Sequence, residues 1–114
     1  MIHIKFYKSD DLIHMDMQGH AGTAEKGKDL VCAAATMLVY TLAQAVQFLY
    51  EQDRLLEKPK FQIVDGYAHI TARPRKCAMA DAMMTFWVAQ AGAFVLERNY
   101  PQAVSLISCA FSEG

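Results

Sequence analysis

No charged side chain interrupts the chain between Leu30 and Tyr50, and a run that long could cross a bilayer. Its polar residues argue otherwise. Thr36, Tyr40, Gln44 and Gln47 are spaced four, four and three apart, and Glu51 continues the row. That spacing draws one polar stripe down a helix and leaves the opposite face to be buried. A half-buried helix is expected from about Leu30 to Asp53, with no membrane span. Asp29 is placed to cap it, because a carboxylate there can accept the free N–H groups of the first turn.

The segments before and after this helix alternate with period two. Ile2, Ile4 and Phe6 alternate with His3, Lys5 and Tyr7, and Ile13, Met15 and Met17 alternate with His14, Asp16 and Gln18. Ser9-Asp10 lies between the two runs, which predicts a hairpin. Phe61 and Ile63, then Ala68, Ile70 and Ala72, repeat the pattern around Asp65-Gly66, a hairpin turn signal. Pro74 ends that strand. A second helix is expected from about Cys77 to Arg98, and a last apolar strand from Val104 to Phe111. The order ββαββαβ predicts an α/β two-layer sandwich: a mixed sheet of about five strands, with both helices on one face. The whole chain, 1–114, reads as one domain.

The second helix is unusually apolar. Between Ala82 and Leu96 only Thr85 and Gln90 carry polar side chains. Such a helix needs cover nearly all round. The expectation is a homodimer formed through it; the alternative is a central core helix.

Charge and cysteine usage narrow the function classes. Lys and Arg number 11 against 12 Asp and Glu, a net charge of −1, so a basic nucleic-acid-binding surface or a polybasic membrane anchor is not expected. Cys32, Cys77 and Cys109 fit neither a disulfide framework nor a C-x-x-C zinc pattern. Reduced thiols in the cytoplasm are the simplest reading. No basic-then-apolar leader opens the sequence.

The chemistry concentrates in one segment. Gly19, Gly22 and Gly27 fall within nine residues, a glycine loop between the second strand and the first helix. Cys32 falls in the expected first helical turn, where the helix dipole favours a thiolate. His20, at the strand end, shares the parity of the polar face. A Cys beside a His makes a nucleophile with its base, and the amides of Cys32 and Ala33 would be free as an oxyanion hole. Each residue has a plainer role: Cys32 as a small core residue, His20 as a solvated strand-end histidine, Asp29 as a cap. Cys77 competes as nucleophile, after Arg73, Arg75 and Lys76, with His69 as its nearest histidine. Cys109 shares parity with Ile107 and Phe111 and is expected in the core. His3, His14 and His69 show no helical ligand spacing, so no metal site is expected.

Gly19-His20-Ala21, then Gly27, then Asp29-Leu30-Val31-Cys32-Ala33-Ala34 closely resembles the signature of the ribosomal-processing cysteine proteases, the Prp or YsxB-like family. The resemblance extends, in order and length of elements, over essentially the whole chain. It implies a small homodimeric cysteine endopeptidase without a cofactor. Its partner would be large-subunit ribosomal protein twenty-seven, whose N-terminal extension is removed by a cut after an aromatic residue. The family's nucleophile falls on Cys32, its general base on His20 and its motif aspartate on Asp29. Its mobile loop, through which the peptide gains access, falls on Gly19 to Asp29. The sequence departs at Ala35-Thr36, where many members have Val-Ser; Thr36 keeps a hydroxyl one turn after Cys32. The rival from another class is a non-catalytic assembly factor that holds the same ribosomal protein; a thiol redox sensor is a weaker third.

Overall fold

The computed structural model describes residues 1–21 and 26–108; the side chains of residues 22–29 and of Ser108 lie outside that description. The elements are β1 (Ile2–Ser9), β2 (Leu12–Gly19), α1 (Lys26–Glu51), β3 (Lys60–Val64), β4 (Tyr67–Ala72), α2 (Met79–Asn99, preceded by a single 3-10 turn at Lys76–Ala78) and β5 (Val104–Ser108). The expected order ββαββαβ is the observed one.

The strands form one mixed sheet in the order β3-β4-β2-β1-β5, antiparallel except where β5 runs beside β1. Alternation does in space what it does in sequence. Ile2, Ile4 and Phe6 of β1, Ile13, Met15 and Met17 of β2, and Ala68, Ile70 and Ala72 of β4 are all buried. They meet the buried stripe of α1, which is Val31, Ala35, Val39, Leu42 and Val46, spaced four, four, three and four. α2 contributes Ala82, Phe86, Ala89 and Ala93. Small residues let the helices approach closely: a Cβ on Gly92 would come 2.8 Å from Leu38 Cδ1.

Within one chain α2 is covered on one side only. Only that one stripe is buried, while Met84, Trp87, Val88, Phe94 and Val95 are exposed, Trp87 to 55%. The core-helix alternative is therefore overturned: one sheet and one neighbouring helix can cover only one side of it. Both α1 and α2 are long and apolar enough to cross a membrane by composition, yet each lays a buried stripe on the sheet.

The other face of the sheet is polar, and a hydrogen-bonded chain ties β1, β2 and β4 together there. His69 donates from Nδ1 to Asp16 Oδ1 at 3.0 Å, which leaves its Nε2 to accept from His14 Nδ1 at 3.2 Å. His14 Nε2 then accepts from the Ser9 hydroxyl at 2.8 Å. Tyr7 stacks on His14 with ring centroids 4.3 Å apart. Burial and then the neighbouring His69 push His14 below the ordinary histidine value.

Candidate active site

Strand parity would send His20 to the polar face with His14, Asp16 and Gln18. The chain does otherwise. Gly19, the last residue of β2, has φ of +103°, a conformation that L side chains rarely adopt. A Cβ there would also overlap the Met1 carbonyl oxygen. After this break in alternation, His20 lines a cavity shared with Cys32 and Ala35 of α1.

That cavity measures about 370 Å³, near the lower end of the usual range for small-ligand pockets. α1 supplies one wall with Cys32, Ala35, Thr36, Val39 and Tyr40. The β3–β4 hairpin supplies the other with Ile63, Val64, Gly66 and Tyr67. β4 pairs directly with β2, Gln18 opposite Tyr67, so the hairpin turn is delivered to the strand end that carries His20. The Gly19 amide donates to the Gly66 carbonyl at 2.9 Å and fixes that junction. Cys32 is half-buried and His20 exposed. Among the described residues, no hydrogen bond joins the thiol to the imidazole. A thiol and an imidazole on one largely apolar cavity are the groups that nucleophilic attack on a peptide carbonyl requires.

The helix start corrects the sequence expectation. α1 begins at Lys26, so Cys32 lies in the second turn. The amides of Cys32 and Ala33 are spent on carbonyls four residues earlier and do not form a free oxyanion hole. Asp29 is a first-turn residue, not the cap. Gly27 belongs to the helix, so of the three loop glycines only Gly19 and Gly22 precede it. A glycine costs only about 1 kcal/mol relative to alanine in a helix, too little to halt it.

The model of the family described as cysteine protease Prp matches residues 1–105. The chain belongs to that family. The fold is shared with SMU.848 from Streptococcus mutans, at TM-score 0.71 and 25% identity over 96% of this chain and 95% of that one. It is shared also with an essential ribosomal processing protease Prp from S. aureus in complex with a substrate peptide, at TM-score 0.71 and 23% identity over 95% and 99%. The same S. aureus protease with a covalently linked product peptide matches at 24% identity. A search of curated proteins returned no match.

Within this cysteine protease, Thr36 lines the cavity but its hydroxyl donates to the Cys32 carbonyl at 2.8 Å, not to the thiol. Gly22 and the Asp29 side chain lie outside the described residues, as does Cys109. Cys77 is exposed in the 3-10 turn, away from any cavity wall described. Two of the three cations expected to activate it, Arg73 and Arg75, are engaged elsewhere. Arg73 pairs with Asp11 and Glu57, holding the Asp11 carboxyl below its usual range, and Arg75 pairs with Asp53 at 2.8 Å. His69 is committed to Asp16 and His14 on the opposite face. Among the described residues, no group of three or more His, Cys, Asp or Glu is arranged to hold a metal ion.

The hairpin wall is what sequence reasoning missed. Asp65-Gly66 announced a turn but not its neighbour. Only the antiparallel pairing of β4 with β2 sets that turn against His20.

Proposed function

We propose that this protease removes the N-terminal extension of large-subunit ribosomal protein twenty-seven, cutting after an aromatic residue through a Cys32–His20 dyad. The single observation that carries the reading is the cavity lined by both residues. Family membership and the fold shared with a ribosomal processing protease support the substrate class. Val39, Ile63 and Val64 supply apolar surface suited to an aromatic side chain.

In this mechanism the bound peptide brings thiol and imidazole into hydrogen-bond reach. His20 takes the thiol proton as Cys32 Sγ attacks the scissile carbonyl. His20 then protonates the departing amine, leaving a thioester, and water, with His20 again as base, releases the acid. Oxyanion donors come from outside the α1 ladder at Cys32 and Ala33. The enzyme works as a cytoplasmic homodimer whose contact is the exposed face of α2 around Trp87 and Val88.

The test is incubation with a peptide carrying the ribosomal extension, with mass spectrometry of the products, beside Cys32→Ala. Cleavage at one bond after an aromatic residue, lost in the variant, is the expected result. Binding of the full-length ribosomal protein without turnover would favour the assembly factor instead.

A further inference from the structure

We propose that Gly66, in the β3–β4 turn, is a positioning residue for His20: its bare Cα is the shelf on which the imidazole rests. The inference depends on the reading of His20 as the catalytic base. Three observations meet here. A Cβ on Gly66 would come 2.7 Å from His20 Nε2 and 3.1 Å from Cε1, so the ring occupies the space that any L side chain would need. The Gly19 amide holds the Gly66 carbonyl at 2.9 Å, which fixes the height of the shelf relative to the strand end. And among the described residues no hydrogen bond or ion pair holds the His20 ring.

The nearest ring atom is Nε2, so the shelf governs where a proton-carrying nitrogen lies. A base must sit within hydrogen-bond reach of the proton it takes. An error of about 1 Å in such a group can cost on the order of a hundredfold in rate. Among the described residues only packing holds the ring, so it is placed by what it packs on, and a methyl-sized intrusion moves it.

Gly66 answers two separate demands. Its φ of +76° is left-handed, which asparagine also tolerates. The space beneath His20 is a second demand that asparagine cannot meet. Gly66→Asn therefore keeps the turn and removes the shelf.

The experiment compares the unmutated enzyme, His20→Ala and Gly66→Asn on the ribosomal extension peptide, with thermal unfolding of each. The expected result for Gly66→Asn is a fall in kcat of about 10- to 100-fold. KM should stay within about twofold and the unfolding midpoint close to that of the unmutated protein. Unchanged kcat, or a loss confined to KM, would overturn the inference while leaving the dyad intact. Full activity in His20→Ala would overturn the dyad reading and this inference with it. Should Gly66→Asn fail to fold, ¹³C relaxation of the His20 ring in the unmutated protein decides. A ring as rigid as the backbone supports the shelf; a ring hopping freely between rotamers overturns it.

Discussion

The hydroxyl of Thr36 donates to the backbone carbonyl of Cys32, one turn earlier in α1. It stands beside the proposed nucleophile yet serves the helix. Thr36→Ser should retain activity within about twofold. Thr36→Ala should lose no more than about fivefold in kcat/KM, since a single neutral hydrogen bond contributes about 1 kcal/mol. A larger loss in steady-state peptide cleavage would mean that the hydroxyl reaches the substrate.

The three thiols should separate cleanly. Cys32→Ala is expected to abolish cleavage, and alkylation of the unmutated protein with iodoacetamide should block it in parallel with modification of Cys32. Cys77→Ala and Cys109→Ala should each keep most of the activity. Abolition by Cys77→Ala would reassign the nucleophile.

Gly19→Ala should be costly in both stability and activity. The new Cβ would overlap the Met1 carbonyl and be held at a φ that alanine resists. An incompatible backbone costs more than the 0.4–1 kcal/mol or so at stake in a strain-free glycine replacement. Denaturant unfolding should show a lower midpoint, and His20, the next residue, should lose its place at the cavity.

Acid should loosen the sheet through His14. Its value is depressed in the fold, so the unfolded chain takes up the proton first as pH falls through about 6.5. The stabilisation is therefore complete above that value and is lost on going down toward the folded value. Thermal unfolding midpoints measured from pH 7.5 to 5 should fall with pH. His14→Asn should flatten the part of that slope belonging to the Ser9–His14–His69–Asp16 chain.

The exposed stripe of α2 should be an interface. Light scattering at micromolar concentration should give twice the chain mass, and Trp87→Asp should shift it toward the monomer without unfolding the core residue Phe86 beside it. A monomer in the unmutated protein would sink this.

The layers of the fold were legible because period-two and helical spacings encode which side of an element is buried. Ile4, Phe6, Ile13 and Met15 went where alternation placed them, and Thr36, Tyr40 and Gln44 of the polar row lie exposed on α1. The site was legible in its residue types but not in its geometry. Helix starts are set by weak local terms, so Asp29 looked like a cap while α1 ran back to Lys26. Alternation predicts faces only until something breaks it, and Gly19 breaks it one residue before His20. The hairpin wall depended on strand order, a long-range property that no local pattern carries.

Met1 touches Gly19, and Ile2 lines the cavity itself. Anything fused upstream of Met1 therefore begins close to the cavity wall that Ile2 and Gly19 form. A purification tag there, joined by a short linker, should crowd the proposed peptide site and depress the measured rate. A tag carrying the proposed ribosomal substrate sequence would instead be presented in cis, at an effective concentration set by the linker, and should report turnover without any added substrate.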